Sequence, residues 1–386
     1  MVIEGTNKGF TEAFVAPENR QEAALTGSIA VGAADNIGQL VDYLFGLAAL
    51  PITAAPLTSK ESHHYEVDFA DIQGQLVAKR ALEIAAAGGH NVIMVGPPGA
   101  GKTMLAKALP SIMPELTDEE ALEVTKIYSV SGLMNQASGL VRTRPFRSPH
   151  HTTSAIGMIG GGRVPRPGEV SLSHYGVLFL DELPEFPRTV LEVLRQPLED
   201  GRVTIARVNA TVTYPAQLML VASANPCPCG FFGDSSGSCC CSVQDIRRYT
   251  KKISGPLLDR IDIHLPVTKL DYGDLVDKQS SESSDDIRLR VEAVRQIQRN
   301  RLSQWGIFSN GAMGHKQVVK TCQLSGEAEK LIKQAFQKLN LSARGYDRIL
   351  KVARTVADLA GSESIEGIHV AEAIHYRSNL FDGPSF

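Results

Sequence analysis

The sequence predicts an α/β fold that is built on a parallel sheet and followed by a smaller helical domain. Three short apolar runs with strand character, at residues 92–95, 176–180 and 218–223, each lead into residues suited to phosphate or magnesium binding. The carboxyl ends of parallel strands meet at one edge of a sheet, so these residues are expected to gather in one site. Towards the C-terminus the pattern changes, because apolar residues recur at helical spacing in 326–339 and 347–360.

The first apolar run leads into a segment that matches the phosphate-binding loop, or P-loop, pattern G-x-x-x-x-G-K-[ST]. Its residues are Gly96, Pro97, Pro98, Gly99, Ala100, Gly101, Lys102 and Thr103. Backbone N–H groups of such a loop surround a polyphosphate at the start of the next helix, which is expected over 104–109 and to stop at Pro110. Lys102 is placed to reach the β- and γ-phosphates, and the Thr103 hydroxyl to hold Mg²⁺. A chance glycine-rich turn is disfavoured because strand, loop and helical pattern follow in register.

The other two runs end in side chains that suit ATP chemistry. A strand that ends in Asp181 beside a P-loop supplies the second Mg²⁺ partner, and the adjacent Glu182 is placed to polarise an attacking water as general base. The alternative is an acidic pair that merely caps a helix. Asn225, at the end of the third run, either contacts the γ-phosphate or its water, or is an ordinary turn residue before proline.

Taken together, these motifs resemble those of the AAA+ ATPases, and most closely their magnesium-chelatase-like family. Four phrases are very specific to it: FRSPHHT, GVLFLDELPEF, VASANPCPCG and SGPLLDRIDIH. The resemblance covers about residues 10–380. It implies ATP and Mg²⁺ as ligands, and it places Arg260 in the arginine-finger segment and Arg344 in the second sensor of the lid.

The resemblance also implies a domain organisation. The central part is expected to be a three-layer αβα AAA+ core that carries a Cys-rich insertion, with a helical lid behind it. Members of the family normally begin with a domain like that of Lon proteases, and the resemblance leads us to expect only the tail of that domain in this sequence. The expected segments are a remnant of that domain at 1–50, a linker at 51–64, the core at 65–268 with its insertion at 226–242, a linker at 269–288 and the lid at 289–386.

The chain between Lys102 and Asp181 is too long for a simple crossover between strands. Its parts at 142–152 and 159–168 resemble the second-helix insert of the magnesium-chelatase and replicative-helicase branch. Residues 203–213 are predicted to form a β-hairpin that turns near Arg207. In that branch such hairpins line a central pore.

Five of the six cysteines fall between residues 227 and 241. Two close groups separated by a Gly/Ser-rich loop suit a tetrahedral Zn²⁺ site, and the alternative is a reduced, metal-free loop. By analogy with the resembling family, the ligands are Cys227, Cys229, Cys239 and Cys241, and Cys240 could substitute for one of them.

Two other groups of polar side chains have more than one interpretation. His150 and His151 could bind a metal, but adjacent side chains of an extended segment point in opposite directions, which favours a structural or substrate-contacting role. Arg142, Arg144 and Arg147 either form a strip that faces DNA or a neighbouring subunit, or belong to a solvated face.

The composition is that of a cytoplasmic enzyme with no membrane partner. Hydrophobic residues make up 43% of the chain, no run approaches the ~18 apolar residues of a membrane span, and the net charge is −3. Any contact with DNA must therefore come from local patches.

The resemblance implies a homo-oligomeric ring, expected to be a hexamer, because an arginine finger reaches the ATP of the neighbouring subunit. Two functions follow from it: a DNA motor for translocation or branch migration in recombination, or a chelatase-type remodelling ATPase that acts on a protein partner. The Cys-rich insertion favours the DNA motor. A regulatory ATPase with no DNA contact is a third, weaker alternative.

Overall fold

The computed structural model describes residues 2–24, 29–53, 65–134, 140–207, 210–233, 237–270, 282–339 and 341–377. The chain divides into two compact units. One consists of Met1–His64 and Leu116–Thr143, and the other of Tyr65–Glu115 and Arg144–Phe386. All of the predicted site residues belong to the second unit.

The first unit contains a small three-stranded sheet in the order β1-β2-β3, in which β1 and β2 are parallel and β2 and β3 antiparallel. Its helix α3 spans Ile37–Leu44. The Asn36 side chain caps it by accepting a hydrogen bond from the Gln39 N–H at 3.0 Å. Numbered in chain order, the elements are α1 Val2–Asn7, β1 Glu12–Val15, α2 Arg20–Ala24, β2 Ala30–Ala33, α3 Ile37–Leu44, β3 Ile52–Thr53 and α6 Asp118–Ser131.

The second unit contains the site-bearing sheet and the C-terminal helices. Its strands are β4 Val92–Val95, β5 Phe146–Arg147, β6 Gly160–Gly161, β7 Arg166–Pro167, β8 Val177–Leu180, β9 Arg202–Arg207, β10 Ala210–Pro215, β11 Met219–Ala224 and β12 Ile263–Pro266. Its helices are α4 Leu76–Gly88, α5 Lys102–Ile112, α7 Ala155–Ile159, α8 Glu169–Leu172, α9 Arg188–Val193, α10 Arg195–Asp200, α11 Val243–Thr250, α12 Gly255–Leu258, α13 Ser284–Leu302, α14 His315–Thr321, α15 Gly326–Lys338, α16 Ala343–Leu359 and α17 Gly367–His375.

The main sheet has five strands in the order β12-β4-β11-β8-β5, and all of its pairings are parallel. Alternate side chains of β4 enter two different cores, since Val92 and Met94 pack with residues of α4, α5 and α13, whereas Ile93 and Val95 pack with residues of α7, α8 and α9. The sheet is therefore the middle layer of a three-layer αβα fold, as predicted. The polar tips of β4, β8 and β11 are brought to its carboxyl edge by the parallel pairing.

The helix after the P-loop differs from the prediction at its C-terminal end. It begins at Lys102 and continues past Pro110 to Ile112, where the Met113 N–H donates to the Pro110 carbonyl at 3.3 Å. Pro110 lies in the last turn, so the missing N–H removes one hydrogen bond near the end of the helix without breaking it.

The predicted hairpin is present as the antiparallel pair β9 and β10, and residues 208–209 of its turn lie outside the described part of the chain. A second, shorter hairpin is formed by β6 and β7 in the glycine-rich segment. The two hairpins touch, because the Tyr214 hydroxyl donates to the Pro165 carbonyl at 2.9 Å. Among the described helices, none has the length and apolar character needed to cross a bilayer.

A buried ion pair ties helix α16 of the C-terminal helices to the sheet. Arg348 on α16 pairs with Asp262, which directly precedes β12. The same carboxylate accepts the Asn91 N–H at 3.1 Å, and His90 Nδ1 lies 3.6 Å from it. Burial alone would raise the pKa of Asp262, but the charge of Arg348 and the contact with His90 more than offset that effect and hold it well below its usual value.

Candidate nucleotide-binding site

The P-loop connects the end of β4 to the start of α5 at the carboxyl edge of the sheet. The Gly96 N–H donates to the Ala224 carbonyl of β11 at 3.2 Å, which fixes the start of the loop. Gly101 ends the loop with φ at +85°, a left-handed conformation that a residue with a β-carbon would adopt only under strain. The loop therefore delivers Lys102 and Thr103 as the first residues of a helix, whose N-terminus favours an anion.

The Lys102 ammonium is held against the loop by three acceptors. It donates to the carbonyl of Gly96 at 2.5 Å, to that of Pro97 at 2.9 Å and to Asn225 Oδ1 at 3.2 Å. Burial lowers the pKa of Lys102, and the negative charges of Asp181 and Glu182 partly offset this effect. The P-loop lysine and the tip of β11 thus meet directly.

The oxygen atoms of Thr103 and Asp181 form a second contact across the site. The Thr103 hydroxyl donates to Asp181 Oδ2 at 3.1 Å. The other carboxylate oxygen, Oδ1, accepts hydrogen bonds from the Ser223 hydroxyl and, at 3.1 Å, from the Glu182 N–H. A hydroxyl and a carboxylate at this distance are the hard oxygen donors that Mg²⁺ prefers, so these residues fit that cation.

Glu182 follows in an unusual backbone conformation, with φ at +53°. Its N–H also donates to the Ser223 hydroxyl at 3.1 Å. Its carboxylate is about half exposed, and His151 Nδ1 lies 3.8 Å from its Oε2. The base predicted from the sequence is therefore open to the site and has an imidazole beside it.

The two histidines are arranged differently from the prediction. Their rings lie beside each other with centroids 4.0 Å apart and an interplanar angle of 35°, instead of pointing in opposite directions. The reason is local, because β5 ends at Arg147 and His151 lies in a turn, where the strict alternation of a strand does not apply.

The three arginines before these histidines are each engaged in ion pairs or hydrogen bonds. Arg142 pairs with Asp118 at 2.9 Å, Arg144 donates to the Tyr175 carbonyl at 2.6 Å, and Arg147 makes a bidentate pair with Glu169 at 2.7 and 2.9 Å. All three guanidinium groups are thus engaged with residues of their own units.

Arg260 and Arg344 form a separate group around Glu199 of α10. Arg260 pairs with Glu199 Oε2 and also donates to the Pro256 carbonyl at 2.8 Å. Arg344 Nη2 lies 3.8 Å from the other carboxylate oxygen of Glu199. The predicted residues thus fall into two sets, one around the P-loop and the other around Glu199.

Four cysteine sulfurs converge after Asn225. The sulfurs of Cys227, Cys229, Cys239 and Cys241 all lie within 4.8 Å of one another, and no other group of three or more potential ligands is this close among the described residues. The Sγ atom of Cys239 is 3.8 Å from that of Cys227 and 3.7 Å from that of Cys229. Zn–S bonds of ~2.3 Å in a tetrahedron require about 3.8 Å between sulfurs. The two distances from Cys239 match this value and the 3.3 Å between Cys227 and Cys229 is shorter, so the set suits Zn²⁺ after a small adjustment of one pair.

The thiols differ in proton affinity, and Cys240 stands apart. A hydrogen bond from the Phe231 N–H and one from the Cys227 thiol lower the pKa of Cys229 to about 6, so one thiolate is available near neutral pH. Cys240 is exposed and does not belong to the converging set.

Sequence reasoning missed two residues that organise these groups. Ser223 orients both Asp181 and the Glu182 backbone, and the only signal for it was a polar residue inside an otherwise apolar strand. Glu199 contacts both Arg260 and Arg344, and nothing in the sequence around it indicated this role.

The P-loop and the Asp-Glu strand tip lie on a five-stranded parallel sheet that has helices on both faces and a helical C-terminal part. This combination defines a P-loop ATPase of the AAA+ class. Residues 68–275 match the family model of the magnesium chelatase subunit ChlI, and residues 281–377 match that of the ChlI C-terminal domain. The chain belongs to the magnesium-chelatase-like family of AAA+ ATPases. Membership implies ATPase activity, and AAA+ proteins commonly assemble into rings.

Several curated proteins are similar over most of the chain. Competence protein ComM of Haemophilus influenzae is 41% identical over 382 residues, which cover 97% of this chain and 73% of that protein. YifB of Escherichia coli is 40% identical over 94% of this chain and 70% of its own length. The magnesium-chelatase 67 kDa subunit of Chlorobaculum tepidum is 29% identical over 166 residues, 42% of this chain and 23% of the subunit.

Proposed function

We propose that this protein is an ATP-driven ring motor that moves DNA, by translocation or branch migration in recombination. The observation that carries the proposal is the pair of touching hairpins in the same compact unit as the ATPase site. Similarity to a protein named for competence supports a role with DNA. We place the protein in the cytoplasm, in line with its unpaired cysteines.

The two hairpins are suited to act as one gripping element. Besides the Tyr214 hydrogen bond, a β-carbon at Gly160 would lie only 3.0 Å from Ile205 Cδ1, so the two ribbons are packed together. Arg163 and Arg166 are exposed on the shorter hairpin, and Arg207 ends β9 of the longer one. In a ring, the copies of these arginines would together form a region of positive charge, although the net charge of each chain is −3.

The P-loop residues suit ATP binding and hydrolysis. Gly96 to Thr103 would surround the polyphosphate, with Lys102 on the β- and γ-phosphates. Thr103 and Asp181 would hold Mg²⁺, which neutralises charge on the phosphates when bound. Glu182 would accept a proton from the attacking water, and Asn225 would contact the γ-phosphate or that water.

The second group of residues is suited to act on a neighbouring subunit. Arg260 is proposed to reach the ATP that the next subunit of a hexameric ring holds, and Arg344, which shares Glu199 as a partner, is proposed to act as the second sensor of the lid. One protomer would then lack a complete site, so hydrolysis requires assembly.

The cysteine set is proposed to hold one structural Zn²⁺ per chain. Metal analysis of protein purified without chelator should show close to one equivalent. Folded protein with no bound metal would contradict this assignment.

ATPase turnover measured with and without forked DNA tests the motor function. Stimulation by DNA is expected, and binding of the ATP-loaded protein to DNA should weaken steeply with salt because backbone phosphates are contacted. Arg163→Ala and Arg207→Ala should weaken DNA binding and leave DNA-free turnover near that of the parent, whereas Lys330→Ala on the lid removes the same charge and should change neither.

The second candidate is a chelatase-type remodelling ATPase that acts on a protein partner. The match to the magnesium-chelatase 67 kDa subunit favours it. If the ATP-loaded protein binds no DNA structure at low salt and its ATPase turnover is the same with and without DNA, the motor function is wrong and this candidate replaces it.

A further inference from the structure

The loop that carries the cysteines lies directly against the P-loop. It starts at Asn225, which accepts a hydrogen bond from Lys102, and it returns to the P-loop at Gly230. A β-carbon at Gly230 would lie 2.6 Å from Pro98 Cδ and 2.8 Å from Pro98 Cγ. The two loops are therefore in contact at a point that has no room for a methyl group.

Pro98 transmits any displacement at this point to the P-loop backbone. Its ring closes on its own backbone nitrogen, so pushing Cδ moves the chain instead of rotating a side chain. The residue before it, Pro97, supplies a carbonyl that holds the Lys102 ammonium at 2.9 Å, and Gly99 follows with φ at +77°. A shift of Pro98 would thus alter the part of the loop that surrounds a polyphosphate.

On the other side of the contact, the cysteines fix the position of Gly230. Its N–H donates to the carbonyl of Cys227 at 3.0 Å, and Cys229 is the residue before it. Cys227 is fully buried. Two of the four converging cysteines therefore belong to the turn that touches Pro98.

A second path leads from the same turn to the P-loop. Lys269 Nζ lies 5.0 Å from the ring centroid of Phe231, the residue after Gly230. The neighbouring Thr268 carbonyl accepts a hydrogen bond from Gln75 Nε2 at 2.8 Å, and Gln75 Nε2 also donates to the Ala100 carbonyl of the P-loop at 3.4 Å.

We infer that the cysteine loop braces the P-loop through the contact between Gly230 and Pro98, so that a metal held by the four cysteines raises the affinity for nucleotide. The inference rests on the proposed function in one respect, since it takes the P-loop as the nucleotide site. It assigns the cysteine loop a positioning role in ATP binding, separate from any contact with DNA.

Gly230→Ala tests the contact, and Gly233→Ala is its matched control. Gly233 has a similar φ of +79°, but nothing lies within 4 Å of the position of its β-carbon. Both variants therefore impose the same kind of backbone strain, and only the first pushes on Pro98. The readouts are the affinity for a fluorescent, non-hydrolysable ATP analogue and the metal content of each protein. We expect Gly230→Ala to bind the analogue about tenfold more weakly or worse, with zinc retained, and Gly233→Ala to match the parent.

Two further measurements keep the test decisive if Gly230→Ala folds poorly. Pro98→Ala removes the two atoms that a methyl at position 230 would strike, so Gly230→Ala should cost less affinity when it is introduced into Pro98→Ala than when it is introduced into the parent. Removing zinc from the parent with a chelator, with the fold followed by circular dichroism, should weaken binding of the analogue, and returning zinc should restore it.

Parent-like affinity in folded Gly230→Ala, or equal affinity with and without zinc in folded protein, would overturn the brace. Failure of the proposed function gives a different result. In that case the analogue still binds in a manner that depends on Gly230 and zinc, but ATP is not hydrolysed or turnover does not respond to DNA.

Discussion

At the scale of single residues, we expect nucleotide binding and hydrolysis to depend on two different side chains. Lys102 is buried against the P-loop carbonyls, whereas the Glu182 carboxylate is half exposed and directed by a strained backbone. The first is suited to phosphate contact and the second to proton transfer.

Lys102→Ala should therefore lose nucleotide binding, whereas Glu182→Gln should bind ATP but turn it over about 100-fold more slowly or worse, since it cannot accept the proton. Equilibrium binding and steady-state turnover measure the two effects. Glu185→Gln is the matched control, because Glu185 follows closely but pairs with Lys252 at 3.2 Å. Unchanged turnover in Glu182→Gln would remove Glu182 from the role of base.

His151 is expected to act as a positioning residue for Glu182, given the 3.8 Å separation of Nδ1 and Oε2. His151→Ala should lower kcat by about tenfold to 100-fold with little change in KM, because a misplaced base slows the chemical step but not binding. His151→Asn, which keeps a polar group near the carboxylate, should recover part of the rate. If His150→Ala has the same effect as His151→Ala, the contact is only structural.

The residue scale also shows what the sequence could and could not predict. The P-loop, Asp181 and Glu182 are contiguous in sequence with the strands that position them, so a local pattern sufficed. Ser223 and Glu199 act through contacts between segments distant in sequence, and no spacing rule indicates such pairs.

At the scale of elements, the strands and helices followed from hydrophobic periodicity, but their ends and their partners did not. The hairpin β9–β10 was predictable because its strands are adjacent in sequence. The order of the main sheet, which places β11 between the P-loop strand and the Asp-Glu strand, depends on contacts that no single segment encodes. Helix α5 passes Pro110 for a related reason, since burial of its final turn in the core outweighs one lost hydrogen bond.

The ion pair between Asp262 and Arg348 joins two such elements, and its loss should be measurable as a loss of stability. Asp262→Asn leaves the arginine without its charged partner, so we expect a destabilisation of about 3 kcal/mol at neutral pH. Because the pKa of Asp262 lies below its usual value, its contribution is present above the usual pKa and is lost as the pH falls below it.

Thermal melting of Asp262→Asn and the parent across the pH range measures this effect. The difference between the two should be largest near neutral pH and should shrink below about pH 4. Asp259→Asn is the control, because that carboxylate is 44% exposed and lies 3.7 Å from Arg377. A difference that stays constant with pH would show that the ionised carboxylate is not the source of the stability.

At the scale of the whole molecule, the fold class and the family were predictable because they depend on motifs whose order along the chain is itself informative. The grouping of Arg260 with Arg344 was not, since both approach Glu199 from segments far apart in sequence. Both arginines contact Glu199 and not the P-loop residues of their own chain, which supports the proposal that Arg260 completes the site of a second copy.

Mixing two inactive variants tests that expectation. Arg260→Ala should lose roughly 10³–10⁵ in rate, as arginine fingers contribute, and Lys102→Ala should be inactive for lack of nucleotide. In a mixed ring, some interfaces join an intact P-loop in one subunit to an intact Arg260 in its neighbour, so part of the activity should return. Turnover across a series of mixing ratios, with assembly followed by light scattering, gives the result. Arg248→Ala, an exposed arginine on α11, is the control and should remain active alone. If the mixture stays inactive although both variants assemble together, Arg260 acts within its own subunit and the ring is not needed to complete the site.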